Sequence, residues 1–228
     1  MRRHGRIIMG LPNTPFSLPL ELSPVALLVA FVLTLVAVLP GAQSLARAHT
    51  LDTSERASGM IGICLALLIQ AFLATEAGWV LRPFRNGQVS AFVLNLSASV
   101  TFLFVAFVFW RRRRSGMIDV VAKVTDSSTH ISQRGLAGSF VSTMASSAGD
   151  IPQITIAALV CAAFTPLSTL IGSVIALWAA SITAAWSQRA FISLDVATKI
   201  AFAVFSVIGV LTLAVTLLTA LSPNLLGP

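Results

Sequence analysis

The sequence predicts an all-α polytopic membrane protein of six transmembrane helices, arranged as two inverted three-helix repeats. Hydrophobic residues make up 56% of the 228 residues and charged residues only 10%, which is too little polar surface to cover a soluble domain. Apolar runs long enough to cross a bilayer, about 20 residues each, recur along the chain. Three runs precede the one sizeable polar loop and three follow it. With an odd number of crossings in each half, related halves would insert in opposite orientations.

The apolar runs also set the expected segment boundaries. Three prolines within residues 1–23 disfavour a continuous helix there, so this segment is interpreted as an irregular leader. The first repeat is expected at 24–110, a cytoplasmic loop at 111–135, the second repeat at 136–221 and a C-terminal tail at 222–228. The six spans are expected at 24–48, 57–81, 88–110, 136–164, 167–186 and 196–221.

Residues 1–48 have a second interpretation. A basic leader, an apolar region and the small-residue pattern Ala46-Arg47-Ala48 are typical of a cleavable signal sequence. We favour a single longer span interrupted at Pro40-Gly41, because the leader is long and proline-rich and because a similar interruption recurs later in the chain. The sequence leaves both interpretations open.

The distribution of Lys and Arg predicts the orientation. The net charge is +7, and four arginines stand together at 111–114, directly after an apolar run. Such a cluster marks the cytoplasmic edge of a span rather than a nucleic-acid contact. With the N-terminus outside, the inner loops hold twice as many Lys and Arg residues as the outer side. We therefore expect both termini to lie outside. We expect a multi-pass protein of the cell (inner) membrane, with the lipid bilayer as a partner.

The segment 146–155, Ser-Ser-Ala-Gly-Asp-Ile-Pro-Gln-Ile-Thr, places an acid inside the fourth predicted span. An aspartate within an apolar stretch costs about 3 kcal/mol or more unless it meets water, a cation or a polar partner. Asp150 is therefore the residue that we expect to bind an ion. The alternative is structural, because glycine and proline are common in membrane helices and a neighbouring Ser or Asn could cap the acid.

Gly149 and Pro152 flank this acid. Because proline lacks a backbone donor and crowds the carbonyl one turn earlier, the helix is expected to be kinked or unwound here, freeing carbonyl oxygens for a cation. If the segment stays helical, Ser146, Asp150 and Gln153 share one face. One anion with several neutral oxygens suits a hard cation. The expected ion-binding residues are Ser146, Ser147, Gly149, Asp150, Pro152 and Gln153, with Asp150 as the metal-binding group.

The first half offers a counterpart at Pro40, Gly41 and Gln43, near the middle of its first span. Paired helices interrupted by Gly and Pro in two inverted halves indicate a transporter site at the bilayer midplane. This copy contains no acid. We expect the two interrupted helices to face each other and to line the transport path.

Other polar residues inside the spans are assigned lesser roles. Gln70 and Asn95 are expected to form interhelical hydrogen bonds, and Glu76 lies near the end of its span, where it could reach the interface. The segment Ser147-Ala148-Gly149-Asp150 differs by one residue from the Gly-x-Gly-Asp motif of intramembrane aspartyl proteases. That chemistry needs two carboxylates sharing a proton, and no second aspartate lies within an apolar run. We expect no enzyme, no cofactor and no nucleic-acid partner.

Residues 149–159 resemble the second motif of the Ca2+/Mn2+:cation antiporter family of the LysE superfamily, and 165–167 and 170–173 are similar to its following turn and helix. The family's motif is Glu-x-Gly-Asp-(Lys/Arg)-(Ser/Thr), and here Ser147, Ile151 and Pro152 replace its glutamate, basic and hydroxyl positions. The resemblance implies two inverted three-helix repeats and a secondary transporter that carries Mn2+ or Ca2+ in antiport with H+.

Two alternatives to this function stay open at the level of sequence. One is a non-transporting membrane subunit or scaffold that keeps the fold and has lost the site. The other is an exporter of a small organic solute. The expected partners are accordingly the transported ion or solute and a second copy or a membrane-complex subunit.

Overall fold

The computed structural model describes residues 22–48, 56–81, 88–114, 135–147, 149–162, 165–186 and 194–221. Within these residues every regular element is an α-helix. The helices are α1 (Pro24–Ala48), α2 (Arg56–Val80), α3 (Gln88–Arg114), α4 (Gly135–Ser147), α5 (Ile151–Cys161), α6 (Pro166–Trp186) and α7 (Leu194–Leu221).

Four of these helices are long and apolar enough to cross a bilayer. The crossing segments are Ala57–Val80 of α2, Phe92–Arg111 of α3, Pro166–Ala184 of α6 and Asp195–Leu221 of α7. Shorter apolar helical segments cover Pro24–Pro40, Gly135–Ala145 and Ile151–Cys161. The chain is therefore a helical multi-pass membrane protein, as its composition predicts.

The outer surface of the described helices is apolar. On α7, the side chains of Val207, Val210, Leu211, Val215 and Leu218 are each more than half exposed. A continuous apolar surface of this extent is rare on soluble monomers, because water would order around it unfavourably. The acyl chains of lipids are its natural solvent.

The fourth predicted span, 136–164, is divided in the structure. Helix α4 ends at Ser147 and α5 begins at Ile151, and between them Gly149 has a φ of +78°. Glycine reaches this left-handed conformation without the steric cost of a Cβ atom. The expected unwinding around Asp150 is confirmed, and the segment forms two short helices instead of one continuous helix.

The interruption expected at Pro40-Gly41 is wrong for the backbone. Helix α1 runs without a break from Pro24 to Ala48, with Pro40 inside it. An interior proline removes one hydrogen bond, and membrane helices tolerate this loss where neighbouring groups compensate. Helix α3 also exceeds its predicted end, since it continues through the arginine cluster to Arg114.

Two buried glycines bring pairs of helices into backbone contact. A Cβ atom on Gly172 of α6 would lie 3.1 Å from the backbone nitrogen of Phe31 in α1. A Cβ atom on Gly62 of α2 would likewise lie 3.1 Å from the backbone nitrogen of Phe140 in α4. Small residues permit this close approach in membrane proteins. Helix α1 therefore packs on α6 as α4 packs on α2.

Helix α5 lies at the centre of the bundle, in contact with α1, α2 and α3. Two apolar clusters meet on it. Leu159 belongs to the cluster built on α1, α3 and α7, in which the rings of Phe102 and Phe205 lie 6.2 Å apart. Ile156 belongs to the cluster built on α2 and α6. Because both faces are packed, the position of the α5 N-terminus is well defined.

Candidate ion-binding site at the break between α4 and α5

The depth of the break is set by its neighbour α2, which is a full-length span. Near its start α2 contacts α4 through Gly62, and near its end Gly78 contacts Ala157 and Val160 of α5. The side chain of Gln70, close to the middle of α2, reaches the end of α4. Because α4 and α5 follow α2 in the same direction, the break lies beside the midpoint of a span.

The backbone at the break is shaped by Gly149, Asp150 and Pro152. Asp150 is the N-cap of α5 with extended backbone angles, φ −67° and ψ 165°. Its carbonyl oxygen accepts hydrogen bonds from the backbone N–H groups of Gln153 at 3.0 Å and Ile154 at 3.2 Å. Pro152 stands in the first turn of α5, where a backbone N–H has no intrahelical acceptor in any case. The proline therefore favours a new helix start here.

The Asp150 side chain is exposed and makes no capping hydrogen bond to α5. It lies at a helix N-terminus, where the partial positive charge of the backbone stabilises a carboxylate. At the middle of a bilayer, exposure to hydrocarbon would be unfavourable for a charged group. The carboxylate is thus suited to face a water-filled cavity or a bound cation.

A chain of two amides joins α2 to both sides of the break. The Gln70 Nε2 atom donates to the carbonyl oxygens of Thr143 at 3.3 Å and Met144 at 3.4 Å, near the end of α4. Its Oε1 atom accepts a hydrogen bond from Nε2 of Gln153 at 2.8 Å. The interhelical role expected for Gln70 is confirmed.

This arrangement determines which atom of Gln153 remains available. Backbone carbonyls only accept hydrogen bonds, so Gln70 must present its NH2 group to α4 and its oxygen to Gln153. Gln153 then donates, and its own Oε1 atom is buried without a hydrogen-bond partner. A buried acceptor left unpaired is unfavourable. The site therefore contains a neutral oxygen that a ligand could satisfy.

The chemistry available at the break is that of oxygen ligands. Asp150 supplies one carboxylate and Gln153 one amide oxygen, and the last carbonyls of α4 add the partial negative charge of a helix C-terminus. Among the described residues, no three His, Cys, Asp or Glu side chains are grouped to hold a metal ion. A hard cation such as Mn2+ or Ca2+ would meet one charged ligand and neutral oxygens here.

The structure brings four of the predicted site residues together: Gly149, Asp150, Pro152 and Gln153. The grouping of Ser146, Asp150 and Gln153 on one helical face does not form, because the helix ends between the first two. The side chains of Ser146 and Ser147 lie outside the described part of the structure.

The first-half candidates form no second gap in a helix. Pro40 is a partly buried residue inside α1. The backbone of Gly41 and Gln43 also belongs to α1, while their side chains lie outside the described residues. The expectation of two facing broken helices is therefore met only in the second half.

Glu76 differs most from its sequence-based expectation. Instead of reaching the interface, its side chain is 9% exposed, and neither carboxylate oxygen has a hydrogen-bond partner among the residues that the structure describes. The packing of α2 explains this burial in part, since Gly78 lies against α5 only two residues later. In the sequence, Gly78 is a small residue near the end of an apolar span, and this was the signal that another helix covers that end.

Comparison of the chain with protein-family models, with curated proteins and with solved structures finds no match.

Proposed function

We propose that the protein is a secondary transporter that exchanges a divalent cation, Mn2+ or Ca2+, for protons. One observation carries this proposal: two half-helices meet at mid-span depth with Asp150 and an unpartnered amide oxygen at the gap. Secondary transporters bind substrates and coupling ions at discontinuous helices near the bilayer midplane. Asp150 would bind the cation, and Gly149 and Pro152 would keep the backbone open.

We further propose six crossings in two inverted repeats, with α4 and α5 forming one crossing together. The packing supports this arrangement, because the same pattern of helix contacts results when α1, α2 and α3 are exchanged for α4–α5, α6 and α7. Helix α1 packs on α6 as α4 and α5 pack on α2, and α1 meets α7 as α5 meets α3. Helices α3 and α7 pack on each other. Under this exchange α3 takes the position of α7, and α7 takes the position of α3.

A pair of short motifs supports the same relation. The pattern Ile-Gly-x3-Ala-Leu occurs at 61–67 in α2 and again at 171–177 in α6, and it contains the two glycines of the close backbone contacts. The pattern Leu-x3-Phe-x2-Thr occurs at 27–34 in α1 and at 136–143 in α4, on the partner side of those contacts. Matching motifs on both sides of both contacts favour a duplicated three-helix unit.

Helix direction supports the inverted orientation. Ser23 at the start of α1 donates its backbone N–H to Ser168 near the start of α6, and Thr34 hydrogen-bonds Ser173 at 2.9 Å. Helices α1 and α6 thus run in the same direction, as α2 and α5 do. Alternating crossings produce these parallel pairs when α4 and α5 count as one crossing. Combined with the positive-inside rule, this topology leads us to propose that both termini lie outside and residues 111–135 in the cytoplasm.

The exchange cycle needs one group that binds either ion. With the cation bound, the Asp150 carboxylate and the Gln153 amide oxygen act as ligands. When the cation leaves, the carboxylate takes up a proton, which prevents a bare charge from lying within the membrane. Movement of the α1–α6 pair against the α2–α4–α5 group would expose this site to each side in turn. The resemblance of 149–159 to cation antiporters of the LysE superfamily agrees with this proposal.

Ion flux in liposomes tests the proposal. Mn2+ and Ca2+ uptake is measured with and without a pH gradient, using wild-type protein and the Asp150→Asn variant, which keeps the size of the side chain and removes its charge. We expect the pH gradient to drive wild-type uptake and the variant to lose at least tenfold in rate.

The matched control is Asp195→Asn, which removes a half-exposed aspartate paired with Lys199 on α7. Its flux should equal that of the wild type. A folded wild-type protein that transports neither ion above empty liposomes would exclude divalent antiport, and equal flux from Asp150→Asn would exclude Asp150 as the binding group.

A further inference from the structure

Glu76 is a buried carboxyl group in a membrane span. It is not part of the transport site proposed at Asp150. Its side chain is only 9% exposed, and within the described part of the chain both of its oxygens lack hydrogen-bond partners. Burial of a carboxylate without compensation is among the most unfavourable events in a protein. Buried polar groups of this kind need a partner to be retained. An ionised Glu76 therefore requires a positive species beside it.

The described parts of the neighbouring helices do not supply that charge. Glu76 belongs to α2, which packs against α4, α5 and α6. Among the described side chains of those three helices, the titratable groups are Asp150 and Cys161. Neither can be a cation, and the Cys161 thiol donates to the carbonyl oxygen of Gly78 at 3.6 Å. A bound cation could supply that charge.

A second unsatisfied oxygen lies at the same end of the bundle. The chain turns from the end of α5 at Cys161, beside Gly78, into α6, which begins one residue after Thr165. Further along α6, Trp178 donates its Nε1–H to the carbonyl oxygen of Cys64 at 3.0 Å. Helix α6 thus runs antiparallel to α2, and its start lies near the level of Glu76. The Thr165 hydroxyl there is buried without a partner.

We propose that Glu76 is a second cation-binding group, located toward the end of α2 and separate from the break at Asp150. Six residues of helix separate Glu76 from Gln70, which marks the level of the break, and this corresponds to about 9 Å along the membrane normal. The two buried oxygens of the carboxyl group would bind the cation. Thr165 supplies a neutral oxygen from the facing end of α6.

This inference deepens the transport proposal by adding a second ion-binding position on the same path. In an antiporter, a carboxyl group between the central site and one membrane surface would bind the ion as it enters or leaves. The inference concerns binding, and it can be tested without any measurement of transport.

The first test measures thermal unfolding of the purified full chain at constant pH with NaCl, CaCl2 or MnCl2 as the probe. Wild-type protein is compared with Glu76→Gln and Glu76→Leu, and Asp195→Asn is the control. Because the proposed Asp150 site would bind the same ions, the expected result is a metal-dependent rise in Tm that both Glu76 variants reduce and the control keeps, which identifies a metal ion as the occupant. Both variants place an uncharged side chain of similar size at this buried position, so we expect at least one of them to fold.

The second test records the infrared spectrum of the carboxyl groups in H2O and D2O. A protonated carboxyl band that shifts in D2O and disappears in Glu76→Gln identifies a proton as the occupant. The Asp150→Asn variant must keep the same band, which assigns it to Glu76. If Glu76→Gln matches the wild type in both the band and the metal response, the proposal is wrong.

The two proposals can fail separately. Cation binding at Glu76 in a protein that transports neither Mn2+ nor Ca2+ would overturn divalent antiport and leave the Glu76 site standing. The opposite result is flux that depends on Asp150 in a protein whose Glu76 variants show unchanged infrared and metal responses. It would overturn the Glu76 site and leave divalent antiport standing.

Discussion

The first helical segment of each proposed repeat contains a proline, yet only the segment in the second repeat is broken. Helix α1 continues through Pro40, whereas the chain leaves helical geometry between α4 and α5, two residues before Pro152. Both prolines remove a backbone donor, so the proline alone does not decide the outcome. The difference must come from what surrounds each proline.

The neighbouring helix supplies that difference. Gln70 of α2 donates to two carbonyl oxygens near the end of α4, and its oxygen holds Gln153 at the start of α5. When the repeated motifs of α2 and α6 are aligned, the position of Gln70 corresponds to Ala180. Alanine has no polar group to offer the freed carbonyls of a broken α1. In hydrocarbon, such carbonyls cost several kcal/mol each when unsatisfied, so α1 keeps its helix.

The largest expected effect comes from the two glycine contacts that the halves share. Gly62→Leu and Gly172→Leu each force a side chain against the backbone of the facing helix, and we expect each to lower the free energy of unfolding by about 3 kcal/mol or more. Thermal unfolding in detergent measures the loss.

The control for these variants is Ala203→Leu, at an exposed position on α7, which should leave stability nearly unchanged. Similar losses at Gly62 and Gly172 would support equivalent roles in the two halves. Tolerance of leucine at either glycine would contradict the duplicated packing.

A smaller effect is expected from Gln70→Leu, which removes the amide from the break. The variant leaves the Gln153 NH2 group and two carbonyls near the end of α4 without this partner, and we expect a loss of about 1–2 kcal/mol. A double-mutant cycle with Gln153→Leu should show that the two substitutions are not additive. Additive losses would indicate that the two amides do not act as a unit.

The smallest expected effect comes from alanine substitutions at two glycines, and it distinguishes the cost of a left-handed backbone from a role in transport. Gly149 and Gly135 have almost the same positive φ, +78° and +77°, and a Cβ atom on either meets nothing within 4 Å. Alanine at each position should therefore cost a similar amount, about 1 kcal/mol, for the left-handed backbone.

Only Gly149 adjoins the proposed ion site. We expect Gly149→Ala to reduce ion flux several-fold and Gly135→Ala to leave it close to the wild-type rate, in liposomes with equal amounts of folded protein. Equal flux from the two variants would show that the backbone at the break does not contribute to transport.

Local sequence signals predicted much of this structure, and their failures have a common cause. The apolar runs located the long helices to within a few residues, and Gly149 with Pro152 located the unwound segment. The same signals predict a break at Pro40, but the helix continues there. They also predict that Glu76 reaches the interface, but the structure buries it. Both errors depend on residues of other helices that lie far away in the sequence.

The sequence by itself determined that the chain is helical and belongs in a membrane, because apolar content and run length depend only on the order of residues along the chain. It also determined where the backbone is able to leave the helix, since glycine and proline act on their immediate neighbours. Tertiary structure decided which candidate break opens, which amide oxygen remains unpaired and which acid is buried. Those outcomes depend on hydrogen-bond partners and packing from other helices.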